Sequence, residues 1–480
     1  MAIDFVVLMS FLAHIVLQLT FITRAILRPH REASSRAAWV LVILSMPIVG
    51  MIAYVLFGET NIGQKRLQKY DDVQKLVEGS AASVLTNRDF ESVSAKNRHL
   101  FKLGQTVNQL GPLGGNVGEL LDSTDAAFDR LVEDIDQAKE TVHLLFYIWL
   151  EDANGLKVAE AAKRAARRGV NVRAMADDIG SRSFIRSKHW EDMEKAGVQT
   201  ARALPVSKML LHPIRGRVDL RNHRKIAVVD SEITYSGSAN CADPEFKPKA
   251  RFGPWVDTMV RFVGPVALQS QYLFVIDWMA HTEEDLTFLL HGECEHNEGL
   301  ATLAIGTGPT TRNSAMPEMF EVLFHAARHE LLVTTPYYVP SDAMHDALCL
   351  TARRGVRTIL VLPKKNDSWV VAAASRSYYR ELVEAGVQVY EYPLGLLHAK
   401  ILTVDREIAL IGSANLDRRS FELNYENNVL LEDAKLSSEL AQRQESYVEA
   451  SSRVALRDIE AWSSSTRMWQ NGIAMMGPIL

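Results

Sequence analysis

Two apolar runs open the chain, and beyond them apolar residues come in short bursts. The first run, Phe5 to Ile22, is broken only by Ser10, His14, Gln18 and Thr20. As a helix it would span about 27 Å, close to the hydrocarbon thickness of a bilayer. The second, Trp39 to Phe57, carries no charge; it holds Pro47 and Gly50, which membrane helices tolerate. Arg24, Arg28, Arg31 and Arg36 lie between or beside the runs. The pattern predicts a transmembrane helical hairpin over residues 1–60. A cleaved signal peptide fits poorly, because Met-Ala-Ile-Asp offers no basic n-region and the second run would be left unexplained. Weighing the arginine-rich turn against Lys65, Arg66 and Lys69 slightly favours a cytoplasmic turn, with the rest of the chain on the outer face.

Beyond residue 60 the bursts repeat. His223-Arg-Lys225-Ile-Ala-Val-Val-Asp230 returns as His398-Ala-Lys400-Ile-Leu-Thr-Val-Asp405, and Gly237-Ser238-Ala239-Asn240 returns as Gly412-Ser413-Ala414-Asn415. Every pair is 175 positions apart. Upstream, Ala-Arg-Arg-Gly-Val at 166–170 matches 352–356, and Ala-Gly-Val at 196–198 matches 385–387. Strand-like runs at Val142 to Leu150 and Leu331 to Val339 precede helix-like stretches at Leu156 to Arg168 and Ala343 to Arg354. Each unit reads as strand, helix, strand, helix, strand and a final strand pair, which predicts an α/β fold. The boundaries follow: 61–115 a juxtamembrane connector, 116–300 a first unit, 301–480 a second. The first unit has about 14 extra residues around Ser207 to Arg221.

Composition narrows the function. The 480 residues carry 53 Lys+Arg against 58 Asp+Glu, a net charge of −5. That balance, with no aromatic–basic platform, argues against a nucleic-acid partner. Three scattered cysteines make neither a disulfide scaffold nor a CxxC site. No HExxH or similar cluster appears, so neither metal nor cofactor is expected.

On a strand, residues i and i+2 share a face, so His223 and Lys225 aim together, as do His398 and Lys400. Imidazole can attack phosphorus or move a proton, and a neighbouring ammonium steadies charge on the nonbridging oxygens. Ser238, Asn240, Ser413 and Asn415 can add hydrogen bonds to the same oxygens. Two copies supply a nucleophile and a general acid. His143, His189, His325 and His329 lack a duplicated context and read as surface or core residues.

These motifs resemble the double HKD signature of the phospholipase D superfamily. The apolar hairpin, Tyr147-Ile-Trp149, Thr335-Pro-Tyr-Tyr-Val-Pro-Ser341, Pro363-Lys-Lys-Asn-Asp-Ser368 and Gly395-Leu-Leu-His398 bring the likeness to bacterial two-span cardiolipin synthases. The resemblance implies two phospholipase D-like α/β lobes related by a pseudo-twofold, with one active site between them. It implies transfer of a phosphatidyl group from one phosphatidylglycerol to another through a phosphatidyl-histidine, in a multi-pass protein of the bacterial inner membrane. His223 would be the nucleophile and His398 the general acid and base. Lys225 and Lys400 would bind phosphoryl oxygens, and Asp230 and Asp405 belong to the family's catalytic set. An acidic residue that orients the histidine follows each motif in the family. Asp257 and Glu426 are the candidates, although their offset is 169 rather than 175. A phospholipase D, a headgroup-exchanging transferase, a membrane-anchored nuclease and a non-catalytic scaffold are the rival readings. Apolar residues at Met209-Leu210-Leu211 and at Trp462, Met468, Trp469, Met475 and Met476 are candidates for a dry mouth, with core packing the alternative.

Overall fold

The computed structural model describes residues 2–29, 33–59, 62–80, 89–206, 217, 219–291 and 298–475. Met209 to Leu211, Cys294, Arg31 and Met476 fall outside them.

One long sheet runs through the molecule, and its strand order reads alike from either end. From one side come Gln199–Ala203, Asn171–Asp177, Thr141–Phe146, Lys225–Val229, Ile233–Gly237, Met259–Val263 and Leu113–Leu120. From the other come Gln388–Tyr392, Arg357–Pro363, Glu330–Thr334, Ile401–Val404, Ile408–Gly412, Asn424–Glu432 and Leu300–Thr307, with the two-residue strand Ser452–Arg453 added at the edge. Leu113–Leu120 and Leu300–Thr307 pair antiparallel where the halves meet. The three outer strands of each half are parallel and linked by helices, and the inner ones are antiparallel hairpins. The linking helices Ala153–Arg167 and Asp342–Arg353 begin on Asp152 and Ser341, whose side chains accept the Gly155 and Met344 N–H groups.

The motif aspartates belong to this scaffold. Asp230 and Ser231 have φ of 49° and 59°, and Asp405 and Arg406 have φ of 51° and 57°. Two consecutive residues in the left-handed region make the tight hairpin turn that suits strand twist. The Asp230 carboxylate accepts N–H bonds from Lys139, Glu140 and Thr141 at 2.8, 2.8 and 2.9 Å. Asp405 does the same for Arg328, His329 and Glu330 at 2.9, 2.8 and 2.8 Å.

The segment read as a connector is part of the core. Val73 and Val77 of the helix Gln64–Ser80, and Leu100 and Phe101 of Arg98–Asn108, pack in one cluster with Trp278, Leu303, Leu402 and Leu430. That cluster draws on both halves and surrounds the deeply buried helix Val266–His281.

The apolar N-terminus forms a long helix, Ala2–Leu27, of which Phe5–Leu27 is long and apolar enough to cross a membrane. The second run is not a single helix. It divides into Ala33–Ser45 and Pro47–Phe57 at Met46, whose φ of −133° and ψ of 71° leave the helical region. Pro47 has no N–H to continue the ladder, so the sequence itself sets the break.

Candidate active site

Two short parallel bridges tie the lobes together and set the site. Arg221 and Asn222 pair with Asn424 and Tyr425, and Leu396 and Leu397 pair with Trp255 and Val256. The next residue along each strand is a histidine on one side and an acid on the other. Their backbones stay joined: the N–H of His223 donates to Tyr425 O at 2.9 Å, and that of His398 to Val256 O at 2.8 Å. Each histidine therefore meets the carboxylate of the opposite lobe. His223 Nδ1 lies 3.0 and 2.8 Å from the two Glu426 oxygens, and His398 Nδ1 lies 2.6 Å from Asp257 Oδ1. With Nδ1 engaged, Nε2 of each ring is left for chemistry.

Neither histidine is on a strand; the strands begin at Lys225 and Ile401. Each lysine folds back on its own motif, Lys225 Nζ donating to His223 O at 2.8 Å and Lys400 Nζ to His398 O at 2.6 Å. Both lysines are buried. Asn427 clamps Lys225 from the other lobe, accepting its N–H at 2.9 Å and donating to its carbonyl at 3.2 Å.

Gly-Ser-Ala-Asn supports the carboxylates. Ser413 Oγ donates to Glu426 and accepts the Asn427 N–H, the latter at 2.9 Å. Ser238 Oγ accepts the Thr258 N–H at 3.0 Å and donates to Thr258 O at 3.5 Å, fixing the residue after Asp257, and adds the smallest of the influences that lower the Asp257 carboxyl. The serines thus brace the acids, where the sequence had them on phosphoryl oxygens. The glycines have a steric reason: a Cβ at Gly237 would lie 2.1 Å from Thr258 O, and one at Gly412 2.4 Å from Asn427 O. Asn240 and Asn415 each keep a buried Oδ1 with no partner among the described residues; an amide oxygen accepts, so these atoms suit a donor such as a hydroxyl, and only the Nδ2 hydrogens can meet a phosphoryl oxygen.

The charges are coupled across the lobes. Burial pushes the imidazoles down, His223 to about 4 despite Glu426, and His398 to about 4 with help from Lys400 and against Asp257. Lys400 also bears on His223, and Lys225 on His398. Burial lowers Lys225 to about 8 and Lys400 to about 7. Burial alone would raise the carboxyls, but His398 and Lys400 hold Asp257 near about 2, and His223 and Lys225 hold Glu426 low. At neutral pH the site holds two neutral imidazoles, two carboxylates and lysines poised near their titration points.

The structure gathers His223, Lys225, His398, Lys400, Asp257, Glu426, Ser238 and Ser413; Asn240 and Asn415 are buried close by in sequence, two residues past those serines. It leaves out Asp230 and Asp405, five residues down their strands with carboxylates saturated by backbone N–H groups. It adds aromatic walls that residue spacing did not reveal. Tyr147 stands edge-on to His223 at 4.9 Å between centroids, with Lys225 Nζ 5.7 Å from its centroid. Trp255 lies 4.6 Å from the His398 ring, its buried indole N–H without a partner among the described residues. His143, by contrast, is a core residue bonded to Gln271 and stacked on Phe274. Trp462 packs on the core, whereas Met468, Trp469 and Met475 are exposed, with Trp469 stacked on the equally exposed Trp369.

The family model described as "Cardiolipin synthase, PLD-like domain" matches residues 131–250 and 321–448, and "Phospholipase_D-nuclease N-terminal" matches 16–59. The structure of phosphatidylserine synthase from Haemophilus influenzae Rd KW20 shares the fold, with a TM-score of 0.59 at 14% identity over 79% of this chain and all of that one. Fold and site define a phosphatidyltransferase of the phospholipase D superfamily. Cardiolipin synthase A from Edwardsiella ictaluri and from Klebsiella pneumoniae are each 36% identical over 94% of this chain and 93% of their own; that of Yersinia pseudotuberculosis is 36% identical over 92% and 91%. The chain belongs to the cardiolipin synthase family, and it is a membrane protein.

Proposed function

We propose that this enzyme condenses two phosphatidylglycerol molecules into cardiolipin and glycerol at the crossed histidine–carboxylate site. The observation that carries the mechanism is the exchange of carboxylates between lobes, which leaves two Nε2 atoms for one phosphodiester. Nε2 of neutral His223 attacks the phosphorus, the P–O bond to the headgroup glycerol breaks, and His398 Nε2–H protonates the departing oxygen. A hydroxyl of the second phosphatidylglycerol then gives its proton to His398 and attacks the phosphorus. The P–N bond breaks and His223 is restored. Lys225, Lys400 and the Nδ2 hydrogens of Asn240 and Asn415 hold the nonbridging oxygens. The single negative charge of the bound phosphodiester offsets part of the lysine charge that depresses His398, and this raises His398 from its low free-enzyme value toward that of a working acid. The unpaired Trp255 indole N–H supports a role in holding substrate beside His398.

Water must not resolve the intermediate, and the nearly complete burial of the site supports transfer over hydrolysis. Incubation of the purified enzyme with phosphatidylglycerol alone tests the reading. Cardiolipin and glycerol should form in equal amounts; phosphatidic acid as the main product would make the enzyme a hydrolase.

A further inference from the structure

We infer that the second apolar run does not cross the membrane. It enters one leaflet, turns at Met46–Pro47 and returns to the side it came from, so that the arginine-rich turn and the catalytic lobes share the cytoplasmic face. The helices Ala33–Ser45 and Pro47–Phe57 run antiparallel against each other. Trp39 and Tyr54 meet edge-to-face at 5.3 Å, and a Cβ on Gly50 would lie 2.5 Å from Val42 O and 2.9 Å from Ile43 Cα. In a continuous helix residues 43 and 50 would be about 10 Å apart. At their lengths of 13 and 11 residues the two helices reach about 20 and 16 Å, well short of a bilayer core of about 30 Å.

Both ends of the unit come back to the end of the first helix. Glu59, just past Phe57, takes Arg24 at 2.5 and 2.9 Å and Arg28 at 2.8 Å, with Tyr54 Oη at 3.1 Å. The turn itself is exposed and apolar: Leu41, Leu44, Met46, Ile48, Val49 and Ile52 are each more than half exposed. These faces fit lipid chains, continuous with the exposed face of Phe5–Leu27. The polar cost of the turn inside lipid is met from within. Ile43 O would normally accept from the N–H that Pro47 lacks, and Gln18 Nε2 of the first helix supplies that bond at 3.0 Å. This explains a glutamine in the middle of an otherwise lipid-facing run.

The consequence is topological. Arg24, Arg28, Arg36, Lys65, Arg66 and Lys69 all fall on one side of the single crossing, so the positive-inside rule, which weighed the turn against the later basic residues in a two-span reading, now assigns that side to the cytoplasm. The returning helix also docks on the lobes close to the site: Arg217, two residues from Asp219 and six from His223, donates to Phe57 O at 2.8 Å. The wedge holds the catalytic mouth against the cytoplasmic leaflet.

Single cysteines at exposed Ala33 and Lys65, in a Cys294→Ser background where Cys241 and Cys349 are buried, test this with a membrane-impermeant maleimide. Cardiolipin formation in the same membranes checks that each variant is folded. In spheroplasts neither Ala33→Cys nor Lys65→Cys should label, and in inverted vesicles both should. Labelling from opposite sides would overturn the re-entrant path. Labelling of both from outside would overturn the cytoplasmic assignment. The readout is sidedness, so it stands or falls apart from the identity of the product.

Discussion

At the scale of single residues, the proposed reaction depends on which nitrogen of each histidine is free, and Glu426 and Asp257 engage Nδ1 of both rings. Glu426→Gln keeps the shape and removes the charge that fixes the tautomer. We expect kcat to fall about 10⁴-fold with unchanged circular dichroism, in line with other carboxylate-oriented histidines. A loss under threefold would deny the orienting role. In the proposed reaction the lysines set the alkaline limit. As pH rises through about 7 and then about 8, Lys400 and Lys225 lose their protons in the free enzyme. Phosphoryl binding weakens as they do, so kcat/KM should fall over that interval. Lys400→Arg, always charged, should move the limb upward to the Lys225 value; an unmoved limb would assign it to another group. Asp230 carries a different expectation. With three N–H groups to satisfy, Asp230→Asn should lose about 1–3 kcal/mol of stability, read by denaturant titration, while kcat stays within twofold. A collapse of kcat at unchanged stability would return Asp230 to the chemistry.

At the scale of elements, the two bridges Arg221–Asn222 with Asn424–Tyr425 and Leu396–Leu397 with Trp255–Val256 convert register into catalytic geometry. Gly412 lets the motif strand lie against the peptide that follows Glu426. Gly412→Ala should displace that peptide and cut activity about 10²-fold through misplacement of the carboxylate; full activity with an unshifted melting temperature would remove the packing argument. Much of this was legible in the sequence. The constant offset of 175 exposed the duplication, and β-branched runs marked Ile226 to Val229 and Ile401 to Val404 as strands. The crossing of carboxylates was not legible, because a repeat shows which residues correspond and not which copy they face. The offset of 169 came from six extra residues between Asn240 and Asp257, around the 3-10 turn Lys247–Phe252. The helix Gln64–Ser80 was missed for another reason. Its apolar stripe of Tyr70, Val73 and Val77 is thin among charged neighbours, and only the partner surface reveals it as core. The break at Met46 was written in Pro47, but the direction of the chain after it depends on Gly50 and Gln18 meeting particular neighbours.

At the scale of the whole molecule, neither lobe would own a complete site under the proposed mechanism. His223 borrows Glu426, His398 borrows Asp257, and one hydrophobic cluster spans both halves. Residues 1–291 expressed alone should show no turnover, and co-expression with 298–480 should restore it; activity of the first half alone would contradict a shared site. The shared site also makes the roles of the two histidines separable. The most direct test is to incubate wild-type enzyme and His398→Ala with phosphatidylglycerol, quench in base, where a phosphoramidate survives, and map the adduct by mass spectrometry. A phosphatidyl group on the peptide carrying His223 is the predicted result, with more of it in the variant that cannot activate the acceptor. An adduct on His398 in the wild type, or steady cardiolipin formation by His223→Ala, would contradict the account.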